Sequence, residues 1–205
     1  MNLTLRSALS AIVLVGLVGS NIMAQSQTSF NRLDDFGTGS VQTFITEESG
    51  FLTGVSLVLY GHGMANDVTV YVRALQSDGS LAPAPLATGF VPASAISTST
   101  ALWHFIPFTT PVNISAGESY GLVLNQFGSS SSGYVDYGSS TGNPYVNGRM
   151  MFELFPGQPL QPIFPDLDLA FQNTVAVPEP GVLALIVLGS LGFFGLKWFK
   201  KCRPV

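Results

Sequence analysis

The chain has 205 residues, 8 basic and 12 acidic side chains, and a formal net charge of −4. Between the two ends, residues 25–176 keep three arginines and no lysine against eleven acids, a net of −8, which argues against nucleic acid or anionic lipid as a partner. The single cysteine, Cys202, lies near the C-terminus, so that middle stretch has neither disulfide nor thiol chemistry.

In chain order, residues 1–9 carry one base, Arg6, and no acid. An apolar run over 11–19 follows, then the polar break Ser20-Asn21. Spanning a bilayer takes about 20 apolar residues, so this run is too short. Basic flank, apolar core and small-residue exit together predict a secretory signal peptide over 1–24, cut between Ala24 and Gln25. The alternative is a buried element of a soluble domain.

The middle, 25–176, is long enough for one hydrophobic core. Val68, Val70 and Val72 alternate with Thr69, Tyr71 and Arg73, a half-buried strand pattern. Over 54–60, Val55, Leu57 and Leu59 share one face in the same way. Further strands are expected at 41–46, 102–108, 119–125, 149–155 and 167–174. Turn clusters such as Ser77-Asp78-Gly79-Ser80 and Ala116-Gly117 separate them. No helical period holds for ten residues outside the two ends. The expected fold is all-β, a jelly-roll-like β-sandwich flanked by the signal peptide and one C-terminal transmembrane helix. Trp103 and Phe105 are expected in its core. Residues 128–148, dense in Ser, Gly and Tyr, read as a long loop or two short strands with a mobile tip. The four prolines of 156–165 suggest a crossing over one end of the sandwich.

Catalytic patterns are sparse. His62 lies in Tyr60-Gly61-His62-Gly63, read as a turn, and His104 lies within a strand. No Gly-x-Ser-x-Gly elbow at a strand-to-helix turn and no metal-type His spacing is present. Glycosidase chemistry needs two carboxyls about 5–9.5 Å apart. The acid clusters are Asp34-Asp35, Glu47-Glu48 and Asp166-x-Asp168, and adjacent strand residues such as Glu47 and Glu48 point to opposite faces. Asp34, Asp35, Asp166 and Asp168 are candidate ligands for a structural Ca²⁺, since hard oxygen donors suit that ion; the alternative is an acidic surface without one. Tyr134, Tyr137 and Tyr145, read as exposed near Gly-rich turns, are candidates for stacking on sugar rings, with Asn143 and Asn147 as polar contacts. Three roles follow for the middle: a structural or adhesive protein without catalysis, a carbohydrate-binding module, or a secreted hydrolase.

The tail, 177–205, is the most specific part. Val177-Pro178-Glu179-Pro180 leads into 16 uncharged residues, 181–196. As a helix they reach only about 24 Å against a hydrocarbon core of about 30 Å, so Trp198 and Phe199 extend the span to 181–199. Lys197, Lys200, Lys201 and Arg203 form a basic stop that predicts a cytoplasmic end over 200–205. A Pro-Glu-Pro motif, a short apolar helix and a basic terminus resemble the PEP-CTERM sorting signal of Gram-negative bacteria, similar in layout to the LPXTG signal of Gram-positive surface proteins. That resemblance implies Pro178, Glu179 and Pro180 as the element read by an exosortase, a membrane protease resembling cysteine transpeptidases. It implies transient residence in the inner membrane, then a destination at the cell surface or in an exopolysaccharide matrix, with extracellular polysaccharide as a partner. The middle loosely resembles uncharacterised β-sandwich domains of anchored bacterial proteins at Gln42-Thr43-Phe44, Asp67-Val68-Thr69-Val70 and Asp168-Leu169-Ala170-Phe171, and no activity follows from that.

Overall fold

A computed structural model describes residues 20–37, 39–63, 66–126, 133–142, 144–162 and 166–177. Of the leader it describes only 20–24, and the sorting motif Pro178–Pro180, the apolar segment and the basic stop lie outside those residues. Among the described residues no helix is long and apolar enough to cross a membrane.

The chain is all-β. Its strands are β1 (Ser20–Gln27), β2 (Arg32–Asp34), β3 (Ser40–Ile45), β4 (Gly50–Gly63), β5 (Val68–Ala74), β6 (Ala87–Val91) and β7 (Leu102–Ile114). They continue as β8 (Ser119–Gln126), β9 (Gly133–Thr141), β10 (Met150–Phe152), β11 (Gln161–Pro162), β12 (Leu167–Leu169) and β13 (Phe171–Val177). One 3-10 turn, Ala93–Ala95, interrupts them. The hydrophobic alternation does what it predicts: Val68, Val70 and Val72 of β5, and Val55, Leu57 and Leu59 of β4, are fully buried.

The strands join in the order β1-β13-β4-β7-β6-β5-β8-β3-β10-β11, while β9 pairs with β4, β12 and β2. From β13 to β3 there are six strand steps. Laid flat at about 4.8 Å per step, those strands would stand roughly 29 Å apart. Yet the rings of Phe44 on β3 and Phe171 on β13 are 6.2 Å apart. The sheet therefore curls until its two halves share one core, which holds Leu52, Leu57, Ile106, Leu122 and Leu124 besides those rings. The curl passes through β7. Residues 102–107 and 112–114 pair with β4, whereas Phe108 pairs with Gly89 of β6. Pro107 and Pro111 bracket the stretch that leaves the β4 ladder, where a missing N–H costs least.

Four expectations are corrected. Trp103 and Phe105 point outward, 39% and 54% exposed, because Ile106 and Phe108 take the inner face of β7. Phe105 lies over Gly54, where a Cβ would come within 2.7 Å of its ring. The Tyr60–Gly63 stretch is not a turn but the end of β4, held by pairing with β9 and by Gly61 N–H donating to Ser97 O at 2.8 Å. Within 128–148, nine residues form β9, so serine and glycine there did not prevent a strand flanked on both sides. Finally, Leu160 packs with Val41, Leu81 and Val123 on the outer face of β3 and β8, so the proline-rich stretch covers that face rather than one end.

Candidate functional site

A partly exposed ladder of polar and aromatic side chains lies where β4 meets β9. His62 is opposite Tyr134 and Tyr60 is opposite Asp136. With a side-chain period of two, all four stand on one face, opposite to the buried Leu59, Val135 and Tyr137. His62 Nε2 is 2.7 Å from Asp136 Oδ2. The imidazole stacks on Tyr134 at 4.4 Å and 17°, and meets the edge of Tyr60 at 4.6 Å and 86°. Tyr134 is 38% exposed, and the His62 and Asp136 side chains keep 35% and 13% of their surface.

This block offers aromatic surface beside a carboxylate, an imidazole and phenol hydroxyls. Such a set can stack on an apolar ring face while exchanging hydrogen bonds with hydroxyl groups. Among the described residues no serine, threonine or cysteine side chain is hydrogen-bonded to His62, so none of them is placed as a nucleophile for the His–Asp pair. The pattern Gly-x-Ser-x-Gly does occur twice in the chain, at 117–121 and 138–142. Its serines sit in β8 and β9 rather than on strand-to-helix turns, and Ser140 Oγ donates to Ser29 O at 2.7 Å. The other histidine, His104, is half-buried on β7 with Nε2 lacking a hydrogen-bond partner; burial lowers its pKa.

The other proposed sugar-stacking residues are corrected. Tyr137 is fully buried and Tyr145 is 8% exposed, edge-on to Phe171 at 5.1 Å. Burial pushes the Tyr145 phenol well above its ordinary value. Both rings belong to the core and present no face to a ligand. Asn147 donates to Glu47 Oε1 at 3.0 Å, and Asn143 lies outside the described residues.

The four aspartates proposed for calcium are used separately. Asp34 pairs with Arg32 and accepts from the Ser139 hydroxyl. Asp35 and Asp166 are exposed, and the Asp166 carbonyl accepts from Gly142 N–H at 2.7 Å. Asp168 is fully buried: Oδ1 accepts from Gln42 Nε2 at 3.2 Å and Oδ2 from Tyr145 N–H at 2.9 Å. Gln42 Oε1 in turn accepts from Leu169 N–H at 2.8 Å. Burial raises the Asp168 pKa, partly offset by the Tyr145 and Gln42 hydrogen bonds. Among the described residues no three His, Cys, Asp or Glu side chains group as a metal site would require.

A groove of about 540 Å³ lies over the outer face of β3 and β8, floored by Ile45, Leu75, Met151 and Leu160 and edged by Arg149. Among the described residues Arg149 is its one ionisable lining group.

Sequence reasoning missed the His62–Asp136 pair because 74 residues separate its members. The available signal was alternation, Tyr60-x-His62 and Tyr134-x-Asp136, which marks two polar-aromatic strand faces but not their pairing. No protein-family model matches the chain, and a search of curated proteins gives no significant match.

Proposed function

We propose that this is an exported protein, processed through Pro178-Glu179-Pro180 by an exosortase-type membrane protease and delivered to the cell surface or its polysaccharide matrix. The carrying observation is the tail: Pro-Glu-Pro, 16 uncharged residues and four bases in the last nine. The fold supports the division, since the compact unit spans Asn21–Val177 and stops at the residue before Pro178. Prolines on either side of Glu179 disfavour helix and keep the motif extended, as a protease cleft requires. In this reading the apolar segment holds the precursor in the inner membrane until the motif is cut. The curled sheet is then a jelly-roll-like sandwich with a structural or adhesive role and no catalysis.

Replacing Pro178, Glu179 and Pro180 by alanine leaves the apolar segment and basic stop untouched. In a host carrying the cognate protease, the variant should accumulate in the membrane at full length while the wild type loses its last 25 or so residues. Equal size and distribution on immunoblots of fractionated cells would leave only a plain anchor.

A carbohydrate-binding role is the second reading, favoured by the exposed Tyr134 ring beside His62 and Asp136. Tyr134→Ala should then weaken retention on matrix polysaccharide by about tenfold, the value of roughly 1.4 kcal/mol of stacking. Unchanged retention removes this reading.

A further inference from the structure

We propose that the leader is cut between Ser20 and Asn21, after the first residue of β1, rather than after Ala24; the proposal rests on the reading of the chain as exported. Strand β1, Ser20–Gln27, is the hydrogen-bonded neighbour of β13 at one end of the strand order. A cut after Ala24 would remove five of its eight residues and leave only Gln25–Gln27 beside β13. β13 would lose most of its partner strand on that side, which opens N–H and C=O groups to any other strand.

Folded proteins guard such edges with short length, charge or proline. Two of the outer strands obey that rule: β11 has two residues and ends in Pro162, and β2 has three, including Arg32 and Asp34. β1 itself is long and uncharged, and only its Ser, Asn and Gln residues make it a more polar edge than β13. By contrast, β13 runs for seven residues, Phe-Gln-Asn-Thr-Val-Ala-Val, with no charge and no proline. Its one register shift, between Thr174 and Val175, faces β4 on the other side. It has the composition of an inner strand, so the mature protein needs β1 to remain. The compact unit likewise begins at Asn21.

The leader itself permits this cut. Ser20 is a small residue where the apolar run ends, and Val18 stands two places before it; Ala24 is also small but has the bulkier Ile22 in that place. Hydrolysis by a membrane-bound leader peptidase breaks the Ser20–Asn21 amide. Water supplies the hydroxyl to the Ser20 carboxylate and the proton to the new Asn21 amine.

The test is N-terminal sequencing and intact mass of the full-length protein, expressed in a Gram-negative host and recovered from the envelope. An Asn21 N-terminus is expected. A Gln25 N-terminus overturns the proposal and leaves export standing, whereas retained Met1 overturns the export reading as well. Two full-chain variants separate the sites further. Ser20→Leu should abolish the wild-type product, and Ala24→Leu should be processed at the wild-type position; the reverse pattern overturns the proposal.

Discussion

Asp168 places a carboxyl group among neutral donors inside the core, and its protonation is therefore coupled to folding. Its folded pKa lies above the ordinary 3.8, chiefly because burial penalises the charged form. The native state then holds the proton to higher pH than the unfolded chain does. The contribution is full below 3.8 and falls as pH rises through the folded value, then stays flat. Asp168→Asn should remove that downward slope from the stability–pH curve measured by denaturant unfolding. A slope unchanged in the variant would assign it to another group. His104 acts with the opposite sign: its folded pKa is below 6.5, so its contribution is present above 6.5 and falls as pH drops through the folded value. The residue types were visible in the sequence, and their environments were not. Asp168 read as a metal ligand because its donors, Gln42 and the Tyr145 amide, come from 126 and 23 positions away. Tyr137 and Tyr145 read as exposed because glycine and serine surround them, yet their neighbours in space are aromatic and aliphatic.

Individual strands were legible from the alternation of their core-facing residues, as in β5 and in the middle of β4. Alternation was harder to interpret where both faces are covered. Arg73 continues the outward set of β5, with Thr69 and Tyr71, and is nevertheless only 9% exposed. The two stretches carrying Leu81 and Leu160 lie over that face, and Glu153 closes on the guanidinium at 2.6 Å. Arg73 Nε also donates to Ala82 O at 2.6 Å. Their side chains keep only 11% and 8% of their surface, so removing one partner leaves a buried charge that water cannot reach. Glu153→Ala should cost about 3–5 kcal/mol, the usual consequence of breaking a buried pair from one side. Glu153→Gln keeps an acceptor oxygen for Arg73 and should cost less. Denaturant melts of both variants check this, and equal losses would mean that packing rather than charge sets the cost. Raising the salt should change the wild-type value little, because ions screen exposed pairs far more than buried ones. The outward Trp103 and Phe105 show the converse problem, since aromatic size predicts burial and gives no side.

At the scale of the whole molecule, the sequence indicated strands and turns but could not indicate the curl. That depends on which strands meet after six steps of pairing, and on β7 leaving the β4 ladder at Phe108 to reach β6. Gln42 on β3 and Asp168 on β12 are the most direct probe of this closure. They are 126 residues apart, and their side chains meet at 3.2 Å inside the core. Gln42 also accepts from the Leu169 amide, so one glutamine ties the early strand to the late ones twice. If the sheet closes this way, Gln42→Ala and Asp168→Ala should not be additive. Each single change leaves the other polar group buried without its partner, at about 1–3 kcal/mol. The double variant removes both groups together, so its loss should fall short of the sum by roughly 0.5–3 kcal/mol. Where Asp168→Ala proves too unstable to measure, Asp168→Asn completes the cycle. A control cycle between Gln42 and the outward-facing Asp136 should be additive to within about 0.5 kcal/mol, as expected of separated sites. Additivity in the Gln42–Asp168 cycle as well would mean that β3 and β12 do not meet in solution, and the single shared core would have to be abandoned.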